Sequence, residues 1–285
     1  MQCTSPYYVK GLHPVPCGNC MACRISRTSE WSLRIQHEMH GKDSCFLTLT
    51  YNKDYADEKS SLVKTDAVKF IKRLRKAIDT PIKYYLCGEY GDLGNRPHYH
   101  AIIIGWRPLD LFGYIRTGKT IARRSVLVEK LWKYGFSSVG TVTPESIQYV
   151  CGYVRKKLNG KRGAEEYGDK ELPFALQSLG IGKEYAIKSM DTLYKGYLTK
   201  NGKKLPIPRY YKKLMDQNII GYSEINQIIG EGYRLIELKD NIGQNDNLND
   251  YLVNSARYDT LKKSDMMRRR SNNKALENRV RKGTL

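Results

Sequence analysis

The sequence predicts an α+β fold in which an antiparallel central sheet is flanked by helices. Three observations predict it. CFLTLTY (45–51), IKYYLCG (82–88) and HYHAIIIG (98–105) are strand-length runs rich in β-branched and aromatic residues. EYGDLGNRP, rich in turn formers, separates the second from the third, so those two form a hairpin rather than a parallel crossover. Stretches with helical periodicity fill the intervals between strands.

Residues 24–40 place Trp31, Ile35 and Met39 on one stripe with Leu33 beside it, which predicts a helix with a basic outer face. In 45–51, Thr48 and Thr50 fall on one face of a strand and Leu47 and Leu49 on the other. Thr65 offers an N-cap to a helix with Val68, Ile71, Leu74 and Ile78 inward and Lys69, Lys72, Arg73, Arg75 and Lys76 outward. After the hairpin, 125–134 reads as a helix closed by Gly135, and 136–142 as a strand. Thr143, Pro144 and Glu145 then supply an N-cap, a proline at the first helical position and a first-turn acid for the helix SIQYVCGYVRKKL. Beyond Leu158 the texture becomes rich in glycine and charge, 240–250 has the composition of a linker, and 255–285 holds ten Lys/Arg against three acids. The organisation predicted is a Cys-rich segment and helix over 1–44, a main domain over 45–215 and a C-terminal extension with a basic tail over 216–285.

Lys and Arg number 49 against 29 Asp and Glu, a net charge of +20 in 285 residues, which points to a polyanionic partner. No apolar run has the length of a membrane span and no secretory leader opens the chain, so no membrane association is expected. Seven cysteines in such a chain argue against a disulfide framework. Cys3, Cys17, Cys20 and Cys23 have the spacing of a structural Zn²⁺ site or, alternatively, an iron–sulfur cluster; reduced thiols packing a small core are the plainer reading. Cys45, Cys87 and Cys151 stand singly and read as small buried residues.

His98 and His100 point to one face of their strand and Tyr99 to the other. If Glu89 faces His98 across the hairpin, Cys87 faces His100, and Glu89, His98 and His100 share one sheet face. Two imidazoles and a carboxylate suit Mg²⁺ or Mn²⁺ with positions left for a substrate oxygen, or iron(II) for oxygen chemistry. Tyr149 and Tyr153, four residues apart, stack on one helix face, with Lys156 and Lys157 a turn later. They either cap the core or act as nucleophiles. KKLPIPRYYKKLM (203–215) mixes basic and aromatic residues, and Arg209, Tyr210, Tyr211 and Lys212 are candidate DNA contacts.

A divalent ion beside a tyrosine pair in a strongly basic chain points to transesterification of a DNA phosphodiester, leaving a 5′-phosphotyrosine. The rivals are a non-enzymatic single-stranded nucleic-acid-binding protein, and an iron oxygenase that leaves the charge unexplained. No GxxxxGK[ST] motif occurs, so strand unwinding is expected to depend on a host helicase.

PHYH resembles the His-hydrophobic-His motif of the HUH endonucleases, FLTLTY their first motif, and YVCGYVRKK the two-tyrosine form of their third. PCGNCMACR, CGEYGDLGNRPHYH, GIGKEY and PIPRYY together resemble the rolling-circle replication initiators of microviruses, in the gokushovirus-like branch. The likeness covers about residues 1–215. It implies a Rep-type, RRM-like sheet, His98 and His100 as metal ligands with Glu89 as the third, and Tyr149 and Tyr153 as nucleophiles. Lys156 is favoured over Lys157 as the supporting cation by its spacing from Tyr153. It further implies a single-stranded phage origin as substrate and the host bacterial cytoplasm as the place of action. A transposase-type HUH nuclease would use the same site but usually with one tyrosine.

Overall fold

The computed structural model describes residues 3–8, 14–56, 60–91, 95–117, 120–156, 165, 167–200 and 202–218. The chain divides into two compact units, Thr28–Leu193 and Met1–Arg27 with Tyr194–Leu285. Everything after residue 218, including the predicted linker and basic tail, lies outside the described residues.

In the first unit, seven strands form one sheet. They are β1 (Ser44–Tyr51), β2 (Lys83–Tyr90), β3 (Pro97–Ile104), β4 (Leu111–Thr117), β5 (Thr120–Ser125), β6 (Gly135–Gly140) and β7 (Phe174–Gln177). Their spatial order is β4-β5-β6-β1-β3-β2-β7, and every pairing is antiparallel. The helices are α1 (Met21–Met39), α2 (Lys53–Ala56), α3 (Lys64–Ala77), α4 (Val126–Leu131), α5 (Pro144–Lys156), α6 (Lys183–Lys188) and α7 (Met190–Leu193). This is the α+β architecture that the sequence predicts.

Period-two alternation sorts the central strands into two faces. Leu47, Leu49 and Tyr51 of β1, Leu86 of β2 and Tyr99, Ala101 and Ile103 of β3 join Ala67, Phe70, Ile71 and Leu74 of α3, with Val128, Leu131 and Trp132, in one core. Tyr85, Cys87, Ile102 and Ile104 face the other way and pack with Ile35 of α1, Ile147, Val150 and Cys151 of α5, and Ile181.

Three predicted details are corrected. Thr65 does not cap α3: Val63 holds that position with extended backbone and no side-chain cap bond, and Thr65 is exposed within the helix. The buried stripe is Asp66, Ala67, Phe70, Ile71 and Leu74, with Val68 and Ile78 only half-buried. It turns this way because the Tyr51 hydroxyl draws Asp66 inward, donating to its carboxylate at 2.9 Å. Gly135 does not close α4, which ends at Leu131 where Trp132 turns its ring into the core and donates from Nε1 to the Thr50 carbonyl at 3.1 Å. Gly135 instead opens β6 with φ of 154°, and a Cβ there would lie 2.2 Å from the Asn52 amide nitrogen, so only glycine fits.

Strands β4, β5 and β7 were not predicted, because LFGYIRT, TIARRS and FALQ neither alternate cleanly nor run apolar. The second unit contains a β-bridge between Tyr7 and Val15, a hairpin of β8 (Tyr197–Lys200) and β9 (Lys203–Pro206), and α8 (Arg209–Asn218). No described helix is long and apolar enough to cross a membrane.

Candidate metal centre and tyrosine helix

The β2–β3 hairpin pairs Glu89 with His98 and Cys87 with His100, the register that the sequence predicts. Antiparallel pairing across one face therefore brings two residues nine and eleven positions from Glu89 against its carboxylate. Glu89 Oε1 lies 2.9 Å from His98 Nε2 and 3.2 Å from His100 Nε2. All three candidate ligand atoms lie within 4.8 Å of one another.

The far side of each imidazole is held. His98 Nδ1 is 3.1 Å from the Arg96 carbonyl, which can only accept, so the proton sits on Nδ1 and the Nε2 lone pair turns towards Glu89. His100 Nδ1 is 3.0 Å from the hydroxyl of Thr48, its cross-strand partner on β1. Burial favours the neutral form of His100 and lowers its pKa, against the opposing pull of Glu89.

A neutral imidazole lone pair 2.9 Å from a carboxylate oxygen is repulsive unless a proton or a cation lies between them. An octahedral Mg²⁺ or Mn²⁺ with ligands about 2.1 Å away would separate neighbouring donors by about 3.0 Å. The observed spacings match that edge, so these residues fit a divalent ion. The donor set does not distinguish the two ions or exclude iron(II).

Helix α5 lies on the same sheet face. Its start is built as the sequence predicts, with the Ser146 amide donating to Thr143 Oγ1 at 3.2 Å after a proline and before a buried stripe of Ile147, Val150 and Cys151. That stripe fixes the helix against β2 and β3. Tyr149, on the flank of the stripe, is half exposed, and its ring centroid is 5.3 Å from that of His100. Tyr153 and Lys156 are also on α5, but their side chains, and the whole of Lys157, lie outside the described residues.

Burial separates the tyrosines that cannot react. Tyr51, Tyr85, Tyr99 and Tyr211 are essentially inaccessible. Tyr51 and Tyr99 share a hydrogen bond of 2.8 Å, and Tyr99 also accepts from the Val63 amide at 2.8 Å. Desolvation raises both phenols, that of Tyr99 to about 12.

Of the candidate DNA contacts in the second unit, Arg209 and Lys212 are exposed and Tyr210 half-buried, whereas Tyr211 is fully buried. Tyr211, Leu214 and Met215 recur at helical spacing and form the inner stripe of α8, so the Tyr211 ring is packing and not a DNA contact. Two features escaped sequence reasoning. Thr48 positions His100, for which the alternating threonines of FLTLTY were the available signal. The β4–β5 hairpin exposes Phe112 and Tyr114, with Arg124 and Arg123 over their respective rings at 5.0 and 5.4 Å.

The four early cysteines also converge. Their Sγ atoms lie within 4.8 Å of one another and all are free. Cys45, Cys87 and Cys151 are buried singly, as expected.

The sequence profile of the replication-associated protein ORF2 family matches residues 44–158. Replication-associated protein VP4 of Bdellovibrio phage phiMH2K is 33% identical over 217 residues, spanning 71% of this chain and 68% of that protein. Replication-associated protein ORF2 of Spiroplasma virus 4 is 31% identical over 221 residues, spanning 71% and 68%. Replication-associated protein ORF4 of Chlamydia phage 1 is 30% identical over 233 residues, spanning 75% and 56%. No solved structure matches the chain.

Proposed function

The chain belongs to the ORF2 family of phage replication-associated proteins, as a microvirus-like rolling-circle replication initiator, and we propose that it nicks and rejoins single-stranded origin DNA by tyrosine transesterification. The observation that carries this reading is the position of Tyr149, on the helix packed against the sheet face where Glu89, His98 and His100 converge.

Glu89, His98 and His100 would hold Mg²⁺ or Mn²⁺, which when bound supplies Lewis-acid polarisation of the scissile phosphate. A tyrosine Oη loses its proton and forms a bond to phosphorus. The bond from phosphorus to the 3′ oxygen breaks, that oxygen takes up a proton, and the 5′ end remains on the protein as a phosphotyrosine. Lys156, or failing it Lys157, stabilises the phenolate. With Tyr149 and Tyr153 one turn apart, one holds the first cut end while the other attacks the regenerated junction after a full circle. Arg209, Tyr210 and Lys212 supply phosphate and stacking contacts, and the Arg-covered rings of β4 and β5 offer further stacking. Unwinding falls to a host helicase.

The test is a labelled single-stranded origin circle incubated with Mn²⁺ and analysed for protein–DNA adducts that survive denaturation. Tyr149→Phe and Tyr153→Phe are each expected to retain some cleavage of a short oligonucleotide but to fail to regenerate closed circles. The double variant should form no adduct while binding DNA with unchanged salt dependence. Adduct formation by the double variant places the nucleophile elsewhere. A wild type that binds single strands but never forms an adduct returns the chain to the non-enzymatic binding class.

A further inference from the structure

In the second compact unit, Cys3 precedes the bridge between Tyr7 and Val15, and Cys17 and Cys20 follow it in a turn at the mouth of α1. Cys23 stands in the first turn of that helix. Gly18 shapes the turn with φ of 76°, and no atom lies within 4 Å of where its Cβ would be, so conformation and not crowding calls for glycine. The turn aims amide groups at sulfur: Cys17 N–H donates to Cys3 Sγ at 3.2 Å and Cys20 N–H to Cys17 Sγ at 3.4 Å. Such donors, together with the N-terminal end of a helix, stabilise thiolates rather than thiols.

The spacing of the sulfurs distinguishes a metal cage from a packing cluster. An ion surrounded tetrahedrally by sulfurs at about 2.3 Å sets neighbouring sulfurs about 3.8 Å apart. Cys20 and Cys3 Sγ are 3.8 Å apart, and no pair in the set exceeds 4.8 Å. Four sulfurs leave no open position, the arrangement of structural rather than catalytic zinc. A multi-iron cluster distributes its thiolates over several iron atoms and needs a wider cage.

We propose that Cys3, Cys17, Cys20 and Cys23 bind one Zn²⁺ as a closed tetrathiolate site that fastens the N-terminal segment to the first turn of α1. The site is separate from the nicking centre in both ligands and purpose. Its ion is not exchanged with substrate, and its binding free energy is folding free energy for this segment.

The experiment is metal analysis of the full chain, purified under reducing conditions and dialysed exhaustively, alongside His98→Ala/His100→Ala and Cys20→Ser. One zinc per chain is expected in the wild type and in the double histidine variant, and its loss is expected in Cys20→Ser. Should Cys20→Ser fail to fold, Co²⁺ substitution of the wild type gives an independent reading: thiolate-to-cobalt charge-transfer bands are expected. Zinc absent from the folded wild type, iron in its place, zinc that departs with the histidines, or cobalt spectra without sulfur ligation would each overturn the proposal.

Discussion

On β3, Tyr99 is fully buried in contact with the rings of Tyr51 and Trp132, while His98 and His100 on either side turn to the opposite face. The histidine side chains keep 16% and 8% exposure there. The same contrast runs across the sheet. The face covered by α3 and α4 is apolar except where Tyr51, Asp66 and Tyr99 satisfy one another by hydrogen bonds. The face covered by α1 and α5 is apolar at Ile102 and Ile104 but gives way to Glu89, His98 and His100 towards the other end of the strands. One strand thus serves as core on one side and as site on the other, because a period of two lets each face be specified independently.

If the faces divide labour in this way, the largest effects should fall on different properties. Glu89→Gln keeps the side-chain shape and removes the ligand charge; nicking should fall about a thousandfold, equivalent to roughly 4 kcal/mol of transition-state stabilisation. The urea midpoint should stay near that of the wild type. Leu49→Ala, on the other face, should cost about 2–5 kcal/mol of stability and leave the nicking rate per folded molecule intact. Equal unfolding by both substitutions would dissolve the division. A subtler probe is Tyr99→Phe, which strands the Val63 amide and the Tyr51 hydroxyl and should cost about 1–3 kcal/mol in urea unfolding without changing metal affinity.

The smallest effect concerns pH. Glu38 of α1 is buried, and burial alone would raise its pKa. Lys42 at 2.7 Å, Lys83 at 2.8 Å and the Gly182 amide at 2.7 Å outweigh that and lower it below the ordinary 4.5. A carboxylate depressed in the folded state adds stability above its unfolded pKa and loses it as pH falls through the folded one. Stability of the wild type should therefore decline below about pH 4.5, and Glu38→Gln should flatten that acid limb while lowering stability at neutral pH. An unchanged acid limb would mean that this ion-pair cluster contributes nothing to the α1 side of the sheet.

Much of the site was legible because it is local. His98-x-His100 on a strand, a turn-rich loop and Glu89 at the mirrored position follow from alternation and antiparallel register, both properties of a short stretch. The tyrosine helix was legible for the same reason, since Thr143, Pro144 and Glu145 announce its start. Thr48 was not legible as a positioning residue, because its tie to His100 depends on which strand lies beside β3. Nor was the burial of Tyr211 foreseen. A basic, aromatic segment reads as exposed until the spacing of Tyr211, Leu214 and Met215 is given a core to face.

The sequence by itself determined the strand and helix types of the central elements, the hairpin register that gathers Glu89, His98 and His100, and the charge that calls for a polyanionic partner. These rest on spacing and composition, which act over a few residues or over the whole chain. Only the tertiary structure decided that β1 and β3 are neighbours at the centre of the sheet, that α5 covers the histidine face, and that Tyr149 stands beside His100. Those facts depend on contacts between residues tens of positions apart, set by which apolar surfaces bury one another, and no local pattern encodes that choice.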